Sequence, residues 1–347
     1  MRFYRGTHEY YCGVDLHART MYLRLADQQG TVLVNRNIAC TPSAFLDAVA
    51  PYKHDLVVTA ECVFCWYWLA DLCAQHSITF VLAHALYLKA IHGAKAKNDA
   101  IDADKLLVLL RGGAIPVAYV YPPGMRATRD LLRRRLYFAR KRAELFSHIQ
   151  NTFHQYNLVK PAGEMNVAKH RARLADCFSD PIVRAIVEAD LQLCSVYDTL
   201  IKDLEKKIEQ QARLDEPMSL VLLHSIPGVG KILALTLLYE IHAIARFARV
   251  HDFSSYCRLV KPEHNSAGKR VGSGGAKIGN AHLEWAFSEA AVCFLHRNPR
   301  GQGMIKRLRK RYGPGKALSI LAARLGRATY FMLKNERPFD MERFVAN

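Results

Sequence analysis

Acidic residues are scarce in this chain of 347 residues: 31 Asp and Glu stand against 49 Lys and Arg, a formal charge of +18 and a pI near 9.6. That imbalance disfavours basic partners and favours polyanions, because lysines and arginines that neutralise phosphates release condensed counterions. Long apolar runs are missing as well. No stretch approaches the roughly 20 residues that a bilayer-spanning helix needs, and no secretory leader is recognised at the start. The expectation is a cytoplasmic, nucleoid-associated protein with no membrane partner. A disulfide framework is also absent, since nine cysteines are odd in number and spread over a large chain. Cys62 and Cys65 form one Cys-x-x-Cys, yet no second pair or His-x-x-His completes a zinc site. Within Cys62-Val-Phe-Cys65-Trp-Tyr-Trp they read as the buried start of a helix. Apolar bulk is plentiful: half of the residues are hydrophobic, enough for two or three packed domains.

The element pattern of the first third is legible. Tyr11–His17, Thr20–Ala26 and Thr31–Ile38 are rich in β-formers and split by polar or glycine-bearing turns. Thr41-Pro-Ser43 signals a helix start that Ala44–Ala50 continues. His54–Ala60 reads as a fourth strand, Val63–Gln75 as a helix, Ser77–Ala83 as a fifth strand and Asp99–Leu110 as another helix. Three leading strands followed by alternating helix and strand match a ribonuclease-H-like α/β layout, in which functional side chains sit at strand ends.

The few acids of that third fall at telling places. Asp15 ends the run Tyr-Tyr-Cys-Gly-Val-Asp, and Glu61 ends Leu56-Val-Val-Thr-Ala-Glu61. Asp99 and Asp102 are three apart and share one face of a helix. Two strand ends and one helix face can converge, and carboxylates at one point hold divalent cations. Mg2+ needs only a few of them besides substrate phosphate oxygens. Two such ions about 3.5–4 Å apart stabilise the attacking and leaving oxygens of a phosphodiester displacement. Asp104 points to another side of the helix and reads as a solvated or capping residue. The plain alternative for the four is a set of unrelated surface acids.

Val117–Gly124, with Tyr-Pro-Pro-Gly, reads as a linker. A helical stretch follows with Arg126, Arg129, Arg133, Arg134, Arg135, Arg140, Lys141 and Arg142, opposed only by Asp130 and Glu144. Contact with a nucleic-acid backbone is the expected use, a solvated charged face the alternative. Interleaved Tyr137, Phe138, His148, Phe153, His154 and Tyr156 could stack on unpaired bases or simply pack a core. Residues 183–213 repeat Val187, Cys194, Ile201 and Ile208 every seven positions, which predicts a short coiled coil or antiparallel helical hairpin. Ser225-Ile-Pro-Gly-Val-Gly230 before Lys231–Ile241 resembles a helix–hairpin–helix turn, with Gly228, Gly230 and Lys231 placed to approach a phosphate. Between Lys261 and Asn280 lies a stretch with little apolar content that carries Ser266, Lys269, Arg270, Ser273 and Lys277. There a serine hydroxyl set among cations could act as a nucleophile or merely donate to a phosphate. The segment Met304 to Arg311 is again basic.

Read together, these motifs resemble one family, nearly from end to end. Gly13-Val-Asp15, Thr59-Ala-Glu61 and Lys97-Asn-Asp-Ala-Ile-Asp-Ala103 are similar to the three acidic motifs of the DEDD transposases of bacterial insertion-sequence family one-ten, RNA-guided recombinases. Ile226-Pro-Gly-Val-Gly230 resembles the start of that family's C-terminal transposase domain. Asn265-Ser-Ala-Gly-Lys269 with Lys277-Ile-Gly-Asn280 resembles its serine block, although Asn265 and Ala267 replace the usual Ser and Gly. Glu284 and Trp285 stand where many members carry basic residues.

The resemblance implies a RuvC-like catalytic domain over 1–118 that binds Mg2+, two ions, through Asp15, Glu61, Asp99 and Asp102. It also implies a basic helical, coiled-coil region over 124–215 and a mainly α C-terminal transposase domain over 216–347. Ser266 would be the nucleophile that forms a transient phosphoserine link to DNA, in a composite site between subunits. The implied partners are donor and target DNA, a structured noncoding guide RNA and further copies of the chain, as a dimer or tetramer. A junction nuclease that uses water, and a non-catalytic nucleic-acid scaffold, are the rival readings.

Overall fold

The computed structural model describes residues 2–91, 98–260, 264–266, 269–272 and 278–346; for Ala90, His264–Ser266 and Lys269–Gly272 it describes the backbone alone. The chain divides into two compact units, Met1–Pro123 and Gly124–Asn347.

The first unit is built on a five-stranded mixed sheet in the order β3-β2-β1-β4-β5, from β1 (Tyr10–Leu16), β2 (Thr20–Asp27), β3 (Val32–Ala39), β4 (Leu56–Glu61) and β5 (Thr79–Ala83). β1, β2 and β3 pair antiparallel as consecutive hairpins, whereas β4 joins β1 in parallel and β5 joins β4 in parallel. Period-two alternation divides β1 between two cores. Cys12, Val14 and Leu16 pack with Phe45 of α1 (Pro42–Val49) and with Trp66 and Leu69 of α2 (Trp66–Gln75). Tyr11 packs on the opposite face with Leu88 of α3 (Ala85–Ile91) and with Leu106, Leu107 and Leu110 of α4 (Asp99–Arg111). This sheet order and helix placement are compatible with the ribonuclease-H-like layout expected from the sequence.

Three local differences from the sequence reading have physical causes. Residues 50–55 form a short 3-10 helix before β4, so that strand runs Leu56–Glu61 rather than His54–Ala60. The Cys62–Cys65 segment is not a buried helix start. The helix begins at Trp66, Cys62 is exposed, and Phe64 is 83% exposed. Asp104 is not merely solvated, because its Oδ1 takes an ion pair at 2.8 Å from Arg24 Nε on β2. All nine cysteines are free, and no helix among the described residues is long and apolar enough to cross a membrane.

Gly13 fixes where α4 lies. A Cβ built there would meet the Ala103 carbonyl oxygen at 2.3 Å and the Leu107 nitrogen at 2.6 Å. Both are backbone atoms of α4, so neither can swing aside. Replacing Gly13 with Ala is expected to lift α4 from the sheet and to cost about 1–3 kcal/mol or more, the range for overpacked sites. Thermal unfolding would read this, and an unchanged midpoint would mean that the helix has room to shift.

The second unit is helical. α5 (Pro123–Gln155) and α7 (Pro181–Asp215) are its long members, with the short α6 (Ala168–Arg171) between them. Arg135 meets Glu205, Arg142 meets Asp198 and His148 meets Asp190. As the number rises along one helix it falls along the other, so the two run antiparallel. Val187, Cys194, Ile201 and Ile208, the seven-residue repeat, are all buried. α8 (Pro217–His224), α9 (Lys231–Ile241), α10 (Val250–Tyr256), α11 (Ala281–Phe294), α12 (Pro299–Tyr312), α13 (Pro314–Lys334) and α14 (Met341–Ala346) complete it. β6 (His264–Ser266) and β7 (Lys269–Gly272) form a small hairpin. Residues 124–215 and 216–347, expected as separate regions, share one core: Met125, Leu132, Ile208 and Ala212 pack with Leu220, Leu233, Phe287 and Leu321.

Candidate metal centre and nucleic-acid interface

The parallel pairing of β1 with β4 sets Val14 beside Ala60. Asp15 and Glu61 follow those residues at the same ends of adjacent strands, on the face that α4 covers. The side chain of Asn98 caps α4 by accepting from the Ile101 N–H at 2.8 Å, which starts the helix at Asp99. Asp99 and Asp102 therefore lie in the first turn, where the helix dipole favours negative charge. Because Gly13 allows α4 to press on β1, that first turn is brought to Asp15.

The electrostatics record this convergence. Partial burial raises the Asp15 carboxyl above its ordinary value; His17 acts the other way, and the charges of Asp102 and Asp99 push it up again. Mutually repelling carboxylates at the end of a sheet are what a cation relieves. Asp15, His17 and Asp99 each offer one ligand atom, and those atoms lie within 4.8 Å of one another. Asp102 Oδ1 takes an ion pair from Lys105 Nζ at 2.8 Å. Glu61 is partly buried at the end of β4. Among the described residues Asp15, His17 and Asp99 are the group whose ligand atoms lie this close, without Glu61 or Asp102; carboxylate oxygens suit a divalent ion that keeps water or phosphate as its remaining ligands. His17 escaped the sequence reading; the signal present was its position two residues after Asp15.

Two comparisons bear on the chain at this point. A family model described as "Transposase", for DEDD transposases of the IS110 type, matches residues 12–158. A second, described as "Transposase IS116/IS110/IS902 family", matches residues 220–305. Both matches support an IS110-family transposase. The chain is similar to the transposase for insertion sequence element IS1111A of Coxiella burnetii (strain RSA 493 / Nine Mile phase I), with 23% identity over 317 residues, 89% of this chain and 85% of that protein. Its enzymatic class is accordingly DNA transposition.

The basic helix of the transposase divides into two populations. Arg126 and Arg129 are buried, and Arg129 and Arg133 converge on Glu240 of α9, itself 1% exposed. Arg133 Nε donates to Glu240 Oε1 at 2.6 Å and Arg129 Nη2 reaches Oε2 at 3.0 Å. Asn280 Nδ2 donates to the same Oε2 at 2.7 Å. Burial alone would raise the Glu240 pKa, but the hydrogen bond from Arg133, the two guanidinium charges and Asn280 outweigh it and leave the pKa at about 2. Arg126, Arg129 and Arg133 are thus drawn inward, contrary to the expectation that they face a nucleic acid. Arg142 is paired with Asp198 across the helix pair, as Arg135 is with Glu205. Arg134 and Arg140 are exposed, and Lys141 is partly so, with Glu144 2.8 Å away. Among the aromatics Phe153 is buried and Phe138 packs on Tyr197, while Tyr137 and Tyr156 are exposed. On α12, Lys306, Arg307, Arg309, Lys310 and Arg311 line an exposed face.

The turn Ser225–Gly230 does join two helices, yet its glycines differ. Gly228 has φ of 81°, and a Cβ there would meet the Cys293 carbonyl at 2.5 Å. It is glycine because it lies against the end of α11, a reason independent of any phosphate. Gly230 caps α9 with open space around its Cα. Lys231 Nζ forms an ion pair with Glu209 at 2.6 Å.

Ser266 is the last residue of β6, opposite Lys269 of β7, with Arg270 next along that strand. The side chains of these three residues, and Ser273 and Lys277 entirely, lie outside the described residues. Asn280 is where the described chain resumes its packing. Its N–H donates to the Tyr256 carbonyl at 2.6 Å, and its Oδ1 caps α11 by accepting from His282 N–H at 2.9 Å. Glu240 is the residue the sequence reading missed here. A lone acid inside the apolar helix Lys231–Ile241 was its only signal.

Proposed function

We propose that this transposase is a site-specific DNA recombinase of an insertion sequence, with Asp15, Glu61, Asp99 and Asp102 as its Mg2+ centre and Ser266 as its nucleophile. The observation that carries the reading is the convergence of the α4 first turn on Asp15 at the carboxyl ends of β1 and β4. A bound ion at that centre would polarise the scissile phosphate and offset the charge that builds on its oxygens.

The chain's own residues have distinct tasks. The carboxylates hold the ion and, through it, the register of the phosphodiester. Ser266 Oγ forms a bond to phosphorus while the bond from phosphorus to a deoxyribose oxygen breaks. The proton leaves Oγ, and the departing oxygen takes one up. Attack by the hydroxyl of a second strand then reverses the sequence: the Oγ–P bond breaks and a new phosphodiester forms. Energy stored in the phosphoserine ester allows strand exchange without an external energy source. Arg134, Arg140 and Lys141 on α5, the basic face of α12, and Lys269, Arg270 and Lys277 near Ser266 are positioned in the sequence to hold nucleic-acid backbones, with Gly230 the better phosphate neighbour of the two turn glycines. A structured noncoding RNA guide and assembly into a dimer or tetramer complete the proposal, since two DNA partners must be held at once.

The test is covalent trapping. DNA carrying an element end is incubated with the protein and Mg2+, denatured, and digested for mass spectrometry. A nucleotide adduct on the peptide containing Ser266, absent from Ser266→Ala, is the expected result. Cleavage that persists in Ser266→Ala with no adduct would transfer the role of nucleophile to water.

A further inference from the structure

His17 follows the last residue of β1 and lies in the tight connection to β2, where its N–H donates to the Thr20 carbonyl at 3.0 Å. The backbone of the imidazole is therefore fixed by the hairpin rather than carried on a free loop. Its Nε2 stands 3.2 Å from Asp15 Oδ2 and 3.6 Å from Asp99 Oδ1. The ring is about half exposed, so an ion and its waters can reach it. Asp102, by contrast, is engaged by Lys105. The four acids are thus unequal: the Asp15–Asp99 pair has a nitrogen donor within reach, and Asp102 has an ammonium.

We propose that His17 Nε2 is a ligand of the ion held by Asp15 and Asp99, and that this nitrogen donor biases the centre toward Mn2+ over Mg2+. The inference rests on the metal-centre reading above. Carboxylate and imidazole ligands sit about 2.0–2.2 Å from a small divalent ion, so two ligand atoms of one ion are at most about 4.4 Å apart; the separations of His17 Nε2 from Asp15 Oδ2, 3.2 Å, and from Asp99 Oδ1, 3.6 Å, fall within that span. Mg2+ is hard, prefers oxygen and sheds water reluctantly. Mn2+ shares the preference of Mg2+ for carboxylate and water and stands lowest in the first-row affinity order, yet as a transition-metal ion it accepts a neutral imidazole nitrogen more readily than Mg2+ does. A centre made only of carboxylates would lack that bias. His17 would also set the geometry of Asp15, because a two-residue spacing at the strand end lets one ion clamp both side chains.

The probe is Mn2+ itself, added to the full-length protein and followed by electron paramagnetic resonance. In wild type a directly bonded nitrogen should appear in the pulsed spectrum. In His17→Gln that nitrogen signal should vanish and Mn2+ binding should weaken about 10-fold or more, while Mg2+ affinity, measured by competition, changes much less. Unaltered Mn2+ affinity and no nitrogen signal in wild type, alongside lost binding in Asp15→Asn, would overturn the role of His17 and leave the carboxylate centre standing. Mn2+ binding that survives in both Asp15→Asn and Asp99→Asn would place the ion elsewhere and overturn both. An unchanged thermal midpoint for His17→Gln separates ligand loss from misfolding.

Discussion

Asp15→Asn is expected to lower DNA strand cleavage by about three orders of magnitude while leaving the protein at least as stable. Asn matches Asp in shape but carries no charge, so the loss falls on whatever ion the carboxylate holds. Metal-ion stabilisation of a phosphoryl transition state is worth several kcal/mol, and about 1.4 kcal/mol is a factor of ten in rate. The stability half of the prediction follows from the neighbours. Burial and the charges of Asp102 and Asp99 hold the Asp15 carboxyl above its ordinary value, so its ionised form is resisted by the fold. Removing that charge relieves repulsion among the acids, and the melting temperature should stay level or rise. Chelation of divalent ions should reduce wild-type cleavage to the level of the variant, and restored Mg2+ should rescue only wild type. Cleavage by Asp15→Asn within about threefold of wild type would sink the assignment.

Glu240→Ala is expected to destabilise the second unit by about 3–5 kcal/mol, the range for breaking a buried ion pair from one side. The carboxylate is 1% exposed and accepts from Arg129, Arg133 and Asn280. Without it, two guanidinium groups are left with a lost partner in a confined space, and the Asn280 amide that anchors the start of α11 loses its acceptor. The pH dependence gives the same magnitude. The pKa of Glu240 is depressed from an ordinary 4.5 to about 2, equivalent to about 3 kcal/mol. A depressed carboxyl contributes its full stability above the unfolded value and loses it as pH falls through the folded value. The loss should therefore fall between about pH 4.5 and pH 2 in wild type and be missing from the variant. Chemical unfolding of wild type, Glu240→Ala, Arg133→Ala and the double variant would isolate the coupling. A single-variant loss under about 1 kcal/mol would show that water replaces the carboxylate at little cost.

Several features could be read from residue order because they depend on local periodicity. Tyr11 to Leu16 alternates between two faces, which puts Asp15 at a strand end. Asp99 and Asp102 share a helix face by spacing alone. The repeat Val187, Cys194, Ile201 and Ile208 is buried throughout, as a seven-residue period requires. Other readings failed where proximity depends on distant segments. Arg129 and Arg133 look like any cation on an amphipathic helix until Glu240, 111 and 107 residues away, is packed against them. Phe64 reads as core by composition, yet the loop after Glu61 leaves it in solvent. His17 looks like a turn residue, and only the docking of α4 brings Asp99 to it.

By itself the sequence determined the order of strands and helices, the strand-end places of Asp15 and Glu61, and an excess of positive charge suited to phosphate backbones, because hydrophobic period, helix capping and net charge are properties of neighbouring residues. The tertiary structure decided which charges are spent inside the protein and which face outward: Arg126, Arg129 and Arg133 inward, Arg134, Arg140 and the α12 bases outward. It also decided which donors surround Asp15. Both outcomes turn on helix docking, in which close backbone approach at Gly13 and the burial of Glu240 bring together side chains that the chain keeps far apart.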